Sequence, residues 1–205
     1  MRPALLLLVV SLAGCSILEP RPDTSRFFTL SAVSQASDTP RASGISIGLG
    51  PVRVPAYLDR PELATRVATT EVVFSPRDRW AEPLSASIRR VVAENMSAIL
   101  GTEEIVAFPW PVGTHVDWAV AIDVARFDRN LAGEVEVAAR WVVREGAGGR
   151  IRIARDTRYP QKAGGDGTAA AVEAWNEAVA ALSRDIAAAI ASLGAGQSDR
   201  ETAEP

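Results

Sequence analysis

Few side chains here can do covalent or metal chemistry: 205 residues carry one histidine, His115, and one cysteine, Cys15. Any Ser-His-Asp or Cys-His arrangement would have to use His115, which sits between Gly113-Thr114 and a run of strand-like alternation and reads as a turn residue. A zinc site needs several His or Cys ligands, which the chain lacks. Asp117, Asp123 and Asp128 could supply an all-carboxylate calcium site, but they read better as the wet face of one strand and its exit. Glycoside hydrolysis needs two carboxyl groups across a scissile bond, and nothing selects such a pair. Gly48-Leu49-Gly50 lacks the rest of a phosphate-cradling loop and falls where a strand bends. Nothing in the residues selects a catalytic group or a metal site, and an acidic pair and an all-carboxylate site are the arrangements left open.

Composition narrows the partners. Twenty-two Lys plus Arg against 25 Asp plus Glu give a net charge of -3, with no basic run, so nucleic acid is not expected. An apolar content of 47% and a charged content of 23% suit one globular domain with a core of its own. The lone thiol cannot form an internal disulfide, so packing must stabilise the domain.

The first residues give the thiol a use. Arg2 supplies a positive start, Ala4 to Leu12 is almost unbroken apolar sequence, and Leu12-Ala13-Gly14-Cys15 places small residues before the cysteine. Nine or so apolar residues reach about 14 Å along a helix, roughly half of a bilayer core of about 30 Å. The segment resembles the signal peptide and lipobox of bacterial lipoproteins. That resemblance implies a leader over residues 1–14, cleavage before Cys15, and a diacylglyceryl thioether and an N-acyl group, palmitate-like chains, on the new N-terminus. Ser16 rather than Asp follows the cysteine, which in a Gram-negative host implies the periplasmic face of the outer membrane. Residues 16–25, with two prolines and mixed charge, read as a flexible tether. Ten residues span at most about 35 Å.

Between the tether and a small, charged tail at residues 194–205, read as disordered, the apolar period alternates between two and 3.6. Arg26 to Val33 predicts a short strand, as do Ile45, Ile47 and Leu49. Gly50-Pro51 then shifts the phase to Val52 and Val54, as at a bulge or edge. Arg66 to Phe74 predicts a strand or small hairpin closed by Ser75-Pro76. A helix is expected from about Glu82 to Leu100, with Pro83 in its first turn and Gly101 as its stop. Val116 to Val124, then Val135 to Val143, then Ile151 and Ile153 predict an antiparallel meander with one solvated face. An irregular stretch at Pro160 to Gly167 leads to a second helix over about Thr168 to Leu193. The order of elements predicts an α+β domain over residues 26–193, a mixed or mainly antiparallel sheet carrying two long helices.

Two segments stand apart from this scaffold. Pro55 to Pro61 holds Tyr57, Asp59 and Arg60 between strands, and Arg77 to Leu84, with Arg79, Trp80 and Pro83, leads into the first helix. Aromatic and arginine side chains on loops are enriched at protein interfaces. The same residues equally suit a local scaffold, with Tyr57 and Trp80 covering the edge of the core and Asp59 and Glu82 pairing with nearby arginines.

These segments also carry a family resemblance. RFFTL at 26–30, GLGPVRVPAYLDRPELATR at 48–66, RWAEPL at 79–84, AENMSAILG at 93–101, FPW at 108–110 and VDWAVAIDVARFD at 116–128 fall in the order of the PqiC/YmbA family, ABC-type transport auxiliary lipoproteins, which the chain resembles from about Arg26 to the final helix. The resemblance implies a non-enzymatic outer-membrane lipoprotein, with no catalytic residues and no metal, that docks or anchors the periplasmic MCE-domain component of an intermembrane lipid transporter, with a homo-oligomeric ring as one form. It also implies lipidation at Cys15 and partner binding at Tyr57, Asp59, Arg60, Arg79, Trp80 and Pro83. Other classes remain open at this point. A lipid carrier would need an apolar cavity between sheet and helices, an envelope hydrolase would need an acidic pair in a cleft, and an envelope-assembly lipoprotein would share the anchor.

Overall fold

A computed structural model describes residues 23–33, 44–111 and 113–201. Cys15 and the tether to Pro22 lie outside the described residues. The described residues form eight strands and two long helices: β1 (Arg26–Phe28), β2 (Ile47–Arg53), β3 (Glu62–Ala68), β4 (Glu71–Trp80), α1 (Leu84–Leu100), β5 (Ile105–Ala107), β6 (Trp118–Asn130), β7 (Glu134–Glu145), β8 (Ile151–Lys162) and α2 (Thr168–Glu201). The strands make one open mixed sheet, and the α+β architecture expected from the sequence is what the chain adopts.

β6 organises the sheet because it is long enough to use both of its edges. Along one edge it pairs antiparallel with β7, and β7 with β8, which is the expected meander. The other edge is shared: its first half pairs parallel with β2, and its last residues, Arg129 and Asn130, pair parallel with Thr65 and Arg66 of β3. β5 extends the sheet beyond β2, while β4 and then β1 extend it beyond β3.

Both helices cover one face. α1 packs on β2 and β5, α2 on β7 and β8, and the two helices on each other. The apolar stripes predicted for them are buried, including Ile88, Val91, Met96 and Leu100 of α1 and Trp175, Val179, Leu182, Ile186 and Ile190 of α2. They meet the inward residues Leu49, Trp118, Val120, Ile122, Trp141 and Val143. Pro83 lies just before α1, and Gly101 ends it in the left-handed region at φ 67°.

Several boundaries differ from expectation, each for a physical reason. β1 ends at Phe28, and residues 29–33 leave the sheet to cross the helix pair. There Asn176 Oδ1 accepts from the Ser31 amide at 3.0 Å and Asn95 Oδ1 from the Val33 amide at 3.2 Å, while Arg90 Nη2 donates to the Leu30 carbonyl at 2.9 Å. Side chains thus satisfy the backbone that a ladder would otherwise satisfy. β4 runs through Ser75-Pro76 to Trp80: its register jumps from Ala64↔Phe74 to Glu62↔Arg79, so two residues of β3 face five of β4 across a wide bulge. β6 continues past Val124 because a register shift before Arg126 changes the phase and brings Phe127 inward. β8 takes in Pro160, assigned above to irregular chain. Among the described residues β8 pairs on one side, with β7, and an edge strand tolerates a missing donor. α2 continues to Glu201, past the end read at Leu193, with no proline before Pro205 to break it, although Gly194 and Gly196 disfavour helix.

Gly48 and Gly50 prove structural, as expected. A side chain at Gly48 would meet the Trp110 ring at 2.6 Å, and one at Gly50, where φ is +118°, would meet Phe108 at 2.7 Å. Both glycines let the Phe108-Pro109-Trp110 loop cover the open face of β2.

Candidate docking site

The two segments singled out in the sequence meet in space. The chain leaving β2 makes a short 3-10 turn at Ala56–Leu58, closed by the Leu58 amide donating to the Pro55 carbonyl at 2.8 Å and pinned by the buried side chain of Leu58. Its exit, Asp59-Arg60-Pro61, is drawn against the end of β4 by the Trp80 amide, which donates to the Pro61 carbonyl at 2.6 Å. The next amide, of Ala81, donates to the Phe28 carbonyl at 2.8 Å. A groove of about 320 Å³ lies between Asp59-Arg60-Pro61 and Trp80-Ala81-Glu82-Pro83.

Its charges are held in different ways. Arg60 Nε donates to Glu62 Oε2 at 2.8 Å, and its guanidinium stacks 3.8 Å from the centre of the Phe74 ring, so Arg60 is oriented from two sides. That bond from Arg60 holds the Glu62 carboxyl below its ordinary range. Glu82 turns to the helix side, where Arg90 donates to it at 2.7 Å and lowers its carboxyl likewise. Asp59 is exposed and forms no ion pair among the described residues. The groove therefore presents a free carboxylate, a fixed guanidinium and the apolar walls of Pro61 and Pro83.

Trp80 enters this picture as floor. It is 6% exposed and forms edge contacts with Phe127 at 5.9 Å and Trp175 at 5.4 Å between ring centres, while Phe127 and Trp175 stack at 5.3 Å. It ends β4, whereas the sequence suggested a loop. Of the six residues singled out for partner binding, Asp59, Arg60, Trp80 and Pro83 line the groove, while Tyr57 and Arg79 are drawn elsewhere. The Tyr57 hydroxyl accepts from Arg66 Nη2 at 3.4 Å, and desolvation raises its pKa. Arg79 stands between Phe27 of β1 and Glu62 of β3 in the cross-strand register, and its Nε is buried without a hydrogen-bond partner.

The sequence reading missed a second cluster. Asp128, expected on a wet strand face, is 1% exposed because two arginines close over it: Arg66 donates through Nε at 3.0 Å and Nη2 at 2.7 Å, and Arg126 through Nη2 at 3.0 Å. Arg126 and Arg158 also pair with Glu136, at 2.6 and 3.0 Å. Of these groups Arg66 and Arg126 line a depression of about 560 Å³ at the β3–β4 and β6–β7 turns. Its guanidiniums are already matched by carboxylates, so it offers little free charge to a ligand. His115 is exposed in the loop before β6, as its turn context suggested.

Comparison with known proteins follows the same lines. The sequence model of the ABC-type transport auxiliary lipoprotein component matches residues 28–187. No curated protein matches the chain. Among solved structures, protein XCC0632 from Xanthomonas campestris, of family DUF330, is 15% identical over 85% of this chain and 99% of its own, with a TM-score of 0.70. An uncharacterized protein is 22% identical over 82% of this chain and 99% of its own, with a TM-score of 0.65. At these identities the likeness shows a shared fold.

Proposed function

Because the chain belongs to the family of ABC-type transport auxiliary lipoprotein components, we propose that it is a lipoprotein anchored through acylated Cys15 at the periplasmic face of the outer membrane, where it docks the MCE-domain component of an intermembrane lipid transporter. The observation that carries this reading is the groove, in which residues from the Pro55–Pro61 loop and the β4–α1 junction converge around a free carboxylate and a fixed guanidinium. The groove and its surround suit a polypeptide partner: apolar walls for an anchoring side chain, flanked by opposite charges that set its register. A lipid carrier would instead need an apolar cavity between sheet and helices. Among the described residues that space is occupied by Trp80, Phe127, Trp175, Trp118 and Trp141, all but one of them at most 1% exposed.

The test is capture of the MCE partner by the lipidated protein in detergent. Combined charge reversal, Asp59→Lys with Arg60→Glu, is expected to weaken capture by about tenfold or more, the loss of at least one contact of about 1.4 kcal/mol. Both side chains are exposed, so the melting temperature should hold. Undiminished capture by the folded double variant would remove the groove from the interface.

A further inference from the structure

β1 is an edge strand among the described residues and the first element after the segment leading from Cys15. Its middle residue, Phe27, is 61% exposed. Phe27 pairs in register with Arg79, so ring and guanidinium stand side by side on the sheet face away from the helices. Arg26 is neutralised by the buried Asp78, which accepts from its Nε at 2.7 Å. Arg77, exposed in the neighbouring bulge, forms no ion pair among the described residues; Arg79 forms no direct ion pair there either, although it stands opposite Glu62 and acts electrostatically on Glu62 and Asp23. A bare aromatic ring beside the unpaired Arg77 and the guanidinium of Arg79, which no carboxylate holds by a hydrogen bond, suits the headgroup boundary of an anionic bilayer, where the ring sheds water and the guanidiniums meet phosphates.

Chain length argues for the same occupant. Arg26 follows Cys15 by 11 residues. Such a segment reaches at most about 40 Å even when fully extended. An acylated Cys15 thus holds this face, more than any other, close to lipid.

We propose that the β1 face, with Phe27, Arg77 and Arg79, rests on a bilayer surface containing anionic phospholipid, so that the acyl chains fix the distance of the domain from the membrane and this patch fixes its orientation. The inference rests on the reading of Cys15 as acylated. The docking groove begins at the residue after Arg79, so seating the patch holds the groove at the membrane surface.

With the single native thiol acylated, a Phe27→Cys variant of the full chain carries one free thiol, which takes an environment-sensitive fluorophore. The labelled protein is reconstituted into vesicles of phosphatidylethanolamine and phosphatidylglycerol, with and without spin-labelled acyl chains. Flotation with the vesicles reports the anchor, and quenching by the spin labels reports the patch. The expected result is flotation with blue-shifted, quenched emission. The same label placed through Leu131→Cys, in the turn after β6 beyond the opposite end of β4, should stay unquenched. Arg77→Glu with Arg79→Glu should shift the seated-to-unseated ratio by at least about tenfold, each cation weighing about fivefold near an anionic surface. Flotation with red, unquenched emission at position 27 would overturn the inference and leave the anchor standing, as would equal quenching at position 131. Blue-shifted emission without quenching would overturn it in favour of a contact with a second copy or another protein. Failure to float would overturn the anchor reading and this inference with it.

Discussion

Replacing Trp80 with alanine lowers the stability of the domain by about 3–5 kcal/mol, the range for emptying a large aromatic site in a packed core. For a domain of this size each kcal/mol moves the melting temperature by about 2–4 °C, so a fall of about 6–20 °C is expected in a thermal scan. The ring fills the gap between the end of β4 and α2, against Phe127 and Trp175, and neighbours on two other elements cannot collapse into the space it leaves. Trp80→Phe, which keeps an aromatic ring there, should recover much of the loss. A Trp80→Ala variant that melts with the wild type would show that the ring is a surface contact after all. The distinction matters for the docking reading, because lost partner capture in Trp80→Ala would report a damaged fold, whereas the same loss in the Asp59 and Arg60 variant reports the groove itself.

Removing the carboxylate of Asp128 has an effect of similar size by a different route. Asp128→Ala leaves Arg66 and Arg126, with side chains 19% and 31% exposed, without the anion that holds them. Breaking a buried pair from one side costs about 3–5 kcal/mol, and the partial exposure of the guanidiniums places the expectation near the lower end. The sign of the electrostatic account can be checked in a cycle. Asp128→Leu combined with Arg66→Met exchanges charge for apolar volume and should be less destabilised than Asp128→Ala, with a coupling energy above about 1 kcal/mol between positions 66 and 128. Additive effects of the two substitutions would mean that the pair is incidental to the joint between β3 and β6. That joint rests on two register pairs at Thr65 and Arg66, so the ion cluster is one of its side-chain links between the β6–β7–β8 meander and the β3–β4 hairpin, beside the bond from Arg129 Nε to Thr65 Oγ1 at 2.9 Å and the Trp80–Phe127 ring contact.

The parts of this architecture that could be read in advance are those in which one periodicity runs unbroken. The stripes of α1 and α2 and the alternation of β6 and β7 bury the residues that their periods select, from Leu84 to Leu100 and from Trp118 to Val143, whereas in the edge strand β8 Ile151 is 44% exposed and Ile153 only partly buried. What escaped the reading lies where an irregularity resets the phase. The wide bulge in β4 hides the fact that Arg79 and Trp80 belong to a strand, and so sends neighbouring side chains to opposite faces: Trp80 to the core and Arg79 to the open face beside Phe27. The register shift at Ala125 moves Asp128 from an expected strand exit to a buried position under two arginines. Residues 29–33 keep the alternation of a strand, but their partners are the amide side chains of Asn95 and Asn176, sixty residues or more away in sequence, which no local pattern announces. β5, three residues long, is too short for any period to mark.

The candidate site divides in the same way. Asp59, Arg60, Trp80 and Pro83 come together because the loop and the helix approach are joined by the hydrogen bond from the Trp80 amide to the Pro61 carbonyl, a contact between segments each legible in the sequence. Tyr57 is only two residues from Asp59, yet the 3-10 turn between them rotates it toward Arg66. The glycines of β2 were legible as structural, although their reason, room for the rings of Phe108 and Trp110, depends on a loop about 60 residues further on.

The anchored docking role and the seating of the β1 face both depend on one covalent event at Cys15. The direct measurement is metabolic labelling with a radioactive or clickable fatty acid in the native host, followed by separation of inner and outer membranes, for the wild type and for Cys15→Ser. The account predicts label in the wild-type protein, its recovery with the outer membrane, and loss of both in Cys15→Ser. Label absent from the wild type, or incorporated equally by Cys15→Ser, would contradict it.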